Sequence, residues 1–290
     1  MATIVWNGGT NDWSVAANWV GAAIPTNADD ILFDGTSVQS VTVNVDRSAG
    51  GAADGVWAAA RTLTVMPSYT GCIGSNGTPL EMDFEGTICY KGGTQDDSSE
   101  FWFKSDDAAP GVTEAKLAPV GRHANACRVD GIFVDVDCLR GTVNFETGAT
   151  ITNELRLIAD PNLGGSPRVI VPNGATVAGT EAFVLDGELI SDVAWPMLVV
   201  CGNGKVQHSI TTAATIAEVI QGGGEFVTDK GTVTLYHIHG GRFDGAKYAR
   251  WVVTTMHAMR AANVDLRNGL GLEPATLNEH TLTTGRVWRD

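Results

Sequence analysis

The chain of 290 residues carries 33 acidic against 19 basic side chains, a formal net charge of −14. That balance repels phosphate backbones and excludes a general nucleic-acid-binding role. No window approaches 18 uninterrupted apolar residues, so no membrane-spanning helix is expected, and five cysteines without a Cys-x-x-Cys pair exclude a zinc knuckle and argue against a disulfide framework. Small buried thiols of a reducing cytoplasm fit better.

In chain order, the first 46 residues read as an opening module. Ala2 to Trp6 reads as a strand, Asn7-Gly8-Gly9 as a turn and Trp13 to Trp19 as a short helical corner. Ala28 to Phe33 and Val38 to Val45 are further expected strands. Trp6, Trp13 and Trp19 lie within this module. A stack of strands exposes an apolar cross-section at its end, and large rings bearing one polar N–H suit a lid over it. The expectation is an N-terminal cap of buried tryptophans; the competing expectation is an exposed platform for sugar rings.

The same module carries a resemblance. Trp6-x-Gly8-Gly9, Trp13, Ala17-Asn18-Trp19-x-Gly21, Pro25 and Asp29-Asp30-Ile31-x-Phe33 resemble the opening block of Gly-rich β-helical surface proteins. Autotransporter passenger domains and bacteriophage virion proteins share that block. No basic and apolar leader opens the chain and no translocator barrel closes it, which turns the expectation toward virion proteins. The resemblance implies a capsid decoration (cement) protein or head fibre, assembled in the host cytoplasm and docked on a major capsid protein. It assigns no catalytic activity and no cofactor.

Beyond residue 47 a Gly/Ala-rich connection leads to strands expected at Thr62–Met66, Leu80–Phe84, Gly86–Tyr90 and Glu100–Lys104. Residues 91–99 and 105–114, polar and rich in turn residues, read as lateral loops. Ala126 to Val136 resumes the strand pattern; strict alternation puts Ile132, Val134 and Val136 on one face and Phe133, Asp135 and Asp137 on the other.

From Gly141 to Gly245 the chain becomes repetitive. Gly148-Ala-Thr-Ile and Gly174-Ala-Thr-Val are near copies, and glycine-initiated strands restart at 204, 224 and 241. Each unit is a tight turn followed by alternating Thr, Val, Ile or Phe, which is strand chemistry. Irregular restarts on the order of 20 residues apart suit a solenoid. The predicted fold is all-β, a right-handed parallel β-helix over residues 47–269 behind a capping module at 1–46, with residues 270–290 as a tail.

Two clusters could carry chemistry. Asp135 and Asp137 share a strand face, but two carboxylates do not satisfy calcium's six to eight oxygens. His237-x-His239 has metal-ligand spacing, with His208 and His257 about one coil before and after; without a Cys or Glu at ligand spacing, no metal is expected there. Nucleophile-elbow, phosphate-loop and zinc-protease motifs are absent.

The expectation is therefore a non-enzymatic structural protein, self-associating as a trimer, with Trp251, Met256, Met259 and Trp288 as apolar interface anchors. The alternative is a β-helical glycan-binding adhesin or polysaccharide-degrading enzyme. Residues 1–110 hold only 4 of the 19 bases, so its groove would have to lie after Arg122.

Overall fold

The computed structural model describes residues 2–47, 56–57, 59–75, 77–96, 99–105, 111–177, 179–244, 252–258, 263–265, 276–279 and 286–288. The described residues are all-β apart from one short 3-10 turn at Ala16–Asn18. Its strands form two sheets, and every strand pairing in both is parallel. From Leu80–Met82 onward the chain alternates between the sheets. Each strand pairs with the next one to reach its own sheet, after as few as 16 residues (Glu181 opposite Met197) or as many as 32 (Ile31 opposite Leu63). The arrangement is consistent with a parallel β-helix.

The register stacks like on like. In the first sheet Ile31, Leu63, Ile88, Ala115, Val136 and Leu155 follow one another as direct partners. The column continues through Ala182, Leu198, Val219, Tyr236 and Met256. All are buried. The second sheet contributes Val143, Val169, Leu189, Val206 and Phe226 from the other side. Burying one such side chain is worth roughly 1.5–3 kcal/mol, so the ladder is the main cohesive element. Phe103, Phe133 and Phe145 touch edge to face at 6.4 and 6.3 Å and join the two sheets.

Alternation does not hold throughout the first sheet. Buried residues fall three apart at Val112/Ala115, Phe133/Val136, Trp195/Leu198, Ile216/Val219, Val233/Tyr236 and Val253/Met256. The two residues between them face outward, as in Thr113-Glu114 or Ala217-Glu218. Two successive outward side chains bend a strand, and repeating the bend at one place in each coil folds the sheet around the core. This corrects the expected faces of Ile132–Cys138: Phe133 is buried, whereas Asp135 lies outside, half-buried.

Other boundaries differ as well. Residues 38–45 form isolated bridges at Val41 and Val43 rather than a strand, with Asn44 at φ 53° interrupting them. Val112–Leu117 is a strand, so the expected loop at 105–114 is shorter; residues 106–110 lie outside the described residues, as do 97–98 of the loop at 91–99. Thr276–Glu279 and Arg286–Trp288 pair in the two sheets, so both ladders continue into the stretch read as a tail. At the other end, Thr3–Val5 and Asp30–Phe33 are themselves the first strands of the first sheet.

Candidate functional site: the outer face of the bent sheet

Beyond each bend, outward positions of successive strands fall into two columns fixed by the register. One runs Glu114, Asp135, Glu154, Glu181, Met197, Glu218, Leu235 and Thr255. Its neighbour runs Lys116, Asp137, Arg156, Phe183, Val199, Ile220, His237 and His257. Strands in a sheet are about 4.8 Å apart, so each column is a continuous strip.

The earlier half of the face is charged and internally paired. Lys116 meets Glu114 at 2.9 Å, and that bond holds the ammonium pKa up. Arg156 donates from Nε to Asp137 at 2.5 Å and lies 3.6 Å from Glu154. Asn153 donates to Asp135 at 2.7 Å. Asp135 and Asp137 therefore do share the outer face, but each is engaged by a neighbour, and Asp137 is only 9 % exposed. That is the geometry of a cross-strand charge ladder.

The later half is apolar. Phe183, Val199 and Ile220 are direct ladder partners, flanked by Met197 and Leu235, and all five are half-buried on the outside of the sheet. A signal for this strip was present in the sequence: Met197-Leu-Val-Val200 is an unbroken apolar run, the pattern of a parallel strand covered on both faces. The inner face covers Leu198 and Val200; Met197 and Val199 face out.

The strip ends at the histidines. His237 and His257 are ladder partners with rings stacked at 4.9 Å, His239 lies 6.5 Å from His237, and Glu218 stands 3.5 Å from His237 Nε2. His208 does not join them, correcting the expected stack. It belongs to the second sheet and points into the core, where Nε2 donates to the Val193 carbonyl at 2.9 Å. Nδ1 therefore accepts from the hydroxyls of Ser209 at 2.9 Å and Thr228 at 3.3 Å. Among the described residues no group of three or more His, Cys, Asp or Glu is placed to hold a metal ion.

Of the four expected interface anchors, Met256 is fully buried in the interior column and cannot serve on the surface. Trp251 and Met259 lie outside the described residues, and Trp288 is placed by its backbone in the last strand of the second sheet. Trp6, Trp13 and Trp19 are buried to within 1 %. Trp19 contacts Trp6 at 4.9 Å and Trp13 at 4.7 Å, both edge to face. Trp19 Nε1 donates to Trp13 O at 2.9 Å, and Trp6 Nε1 to Gln39 O at 2.8 Å. Asn18 fixes the turn beneath them, accepting from the N–H groups of Gly9 and Thr10 and donating to Asp12 O at 2.7 Å. These rings offer no face to a sugar.

Compared with protein-family models, with curated proteins and with solved structures, the chain has no match in any of the three. The likeness of residues 6–33 to β-helical surface proteins rests on those residues alone.

Proposed function

We propose that this chain is a non-enzymatic structural protein, a right-handed parallel β-helix closed at its N-terminal end by the tryptophan cluster. The right-handed sense follows from the strong preference of parallel crossovers. In the specific form we favour, it assembles as a homotrimer that decorates a bacteriophage capsid. The observation that carries the docking role is the apolar strip Phe183–Val199–Ile220 on the outside of the bent sheet. A stacked set of apolar side chains on an outer sheet face is a surface suited to cover by another chain. Closed cyclic symmetry would bury the strip without leaving an end open to polymerise. The phage assignment is supported by the N-terminal block, from Trp6-x-Gly8-Gly9 to Phe33.

The test is association. Light scattering of the wild type should give a closed oligomer, and Val199→Lys with Ile220→Lys should give a monomer with an unchanged far-ultraviolet spectrum, because both side chains lie outside the core. A wild type that stays monomeric at every concentration would end the docking role of this face.

A further inference from the structure

Successive crossings from the first sheet to the second stack at one corner of the molecule. The crossings at residues 118–126 and 158–166 are long, whereas Cys138 reaches Gly141 through Leu139 and Arg140 alone. The short crossing leaves a notch between its long neighbours. It is a cleft of about 520 Å³ lined by Arg122, Arg140, Gln95, Leu163 and the Gly164-Gly165 turn. Among the described residues no carboxylate lines it, although acids outnumber bases 33 to 19 in the chain.

The two arginines play different parts. Arg140 donates from Nη1 to Leu163 O at 3.0 Å and from Nη2 to Ala118 O at 3.0 Å and Lys91 O at 3.2 Å. It thus ties three neighbouring crossings to its own. All three partners are neutral carbonyls, so none of these bonds cancels its charge; burial pushes its pKa down, and Asp160 opposes that from a distance. Its Nε is buried and finds no acceptor. Arg122 is exposed and makes no side-chain hydrogen bond or ion pair among the described residues. It lies across the glycine turn: a Cβ at Gly165 would stand 3.1 Å from Arg122 Nη2, and Gly165 has φ +81°. The missing side chain gives the guanidinium its place.

A second lobe of about 300 Å³ shares Arg122 and continues past Thr142, Ser166 and Arg168. There Glu188 is already engaged by Arg168 at 3.2 Å, Lys205 at 3.2 Å and Gln207 at 2.6 Å. The Arg122 fork remains open for a planar or tetrahedral oxyanion, which guanidinium binds in bidentate fashion.

We propose that this cleft binds a small ligand bearing an oxyanion, whether carboxylate, sulfate or phosphate, gripped by Arg122 above the fixed charge of Arg140. The polar remainder of the ligand lies in the lobe beside Thr142 and Ser166. A nucleic-acid polymer does not fit, because a chain of net charge −14 repels it and one open guanidinium cannot follow a phosphate backbone. The site is independent of the docking role proposed above.

Titration calorimetry of the full chain at low ionic strength, with sodium glucuronate, sulfate and phosphate as separate probes and glucose as the neutral control, tests it. At least one anion should bind saturably at one site while glucose does not. Tighter binding of glucuronate would identify an acidic sugar as the ligand class; tighter sulfate or phosphate would identify an inorganic or ester oxyanion. Arg122→Ala and the longer Arg122→Gln should each weaken binding at least tenfold, and Lys230→Ala, a cation bonded to Thr211 O elsewhere, should leave it unchanged. The proposal fails if no anion binds the wild type, or if either Arg122 variant, folded by circular dichroism, binds as the wild type does.

Discussion

At residue 131 only a hydrogen fits where a side chain would stand. Gly131 has φ +89°, and a Cβ there would meet Ser105 O at 2.1 Å, a backbone atom of the neighbouring coil. Gly131→Ala should cost about 2–5 kcal/mol, combining roughly 1–2 for the left-handed backbone with about 1–3 for displacing the neighbour. Gly77 has φ +83° but open space around its Cβ position, so Gly77→Ala should lose only about 1–2 kcal/mol from the backbone alone. Urea midpoints of the two variants check the difference. His208 sets a second residue-scale expectation. Burial holds its pKa below the ordinary value of 6.5, so the unfolded chain takes up the proton first. Its contribution is complete above about pH 6.5 and declines as pH falls toward the folded pKa, by at most about 1.4 kcal/mol per pH unit. Nearby Asp192 is pushed up by burial, but bonds from Thr211 and Thr212 prevail and hold it low. Its stabilisation is present above the unfolded carboxylate range and is lost only in stronger acid. Stability measured between pH 5 and 8 should therefore fall less steeply on acidification in His208→Gln than in the wild type. Equal slopes would show that His208 is not the titrating group.

At the scale of strands and turns, much was legible and one rule was not. Glycine followed by alternating Thr, Val and Ile located Gly141–Phe145, Lys205–His208 and Glu225–Thr228, because tight turns and β-branched runs are local chemistry. The bend was missed because strict alternation was assumed through it. Buried positions three apart look like helix or noise unless the same spacing is seen in strand after strand, as in Trp195/Leu198, Ile216/Val219 and Val233/Tyr236. That phase slip reversed the expected face of Phe133. His208 was placed near His237 by counting one coil, but each coil visits both sheets, so neighbours by count can lie in different sheets. The outer apolar strip could have been inferred from Met197-Leu-Val-Val200. The arginine cleft could not, because it arises from a two-residue crossing between longer ones, and crossing lengths emerge only once strand ends are known.

Across the whole molecule, the strand pairings among the described residues run between successive strands of each sheet, with Thr176–Val177 as a side branch on Thr150–Leu157. Stability in such a ladder approximates a sum of local terms and nearest-neighbour contacts, with no single nucleus holding every coil. A cavity in the middle should then loosen its neighbourhood without unfolding the ends. Leu155 is the position to use: it is fully buried, with Val136 on one side and Ala182 on the other. Leu155→Ala removes about 2–5 kcal/mol of local packing. Hydrogen exchange read by mass spectrometry should show faster exchange in Ile132–Cys138, Thr150–Leu157 and Glu181–Val184. Thr3–Val5 and Asp30–Phe33, held by the tryptophan cluster, should exchange as in the wild type, because no contact of Leu155 reaches them and local openings have their own free energies. Were protection to fall evenly from the first strand to the last, the protein would be a single cooperative block, and the additive description of its coils would have to be given up.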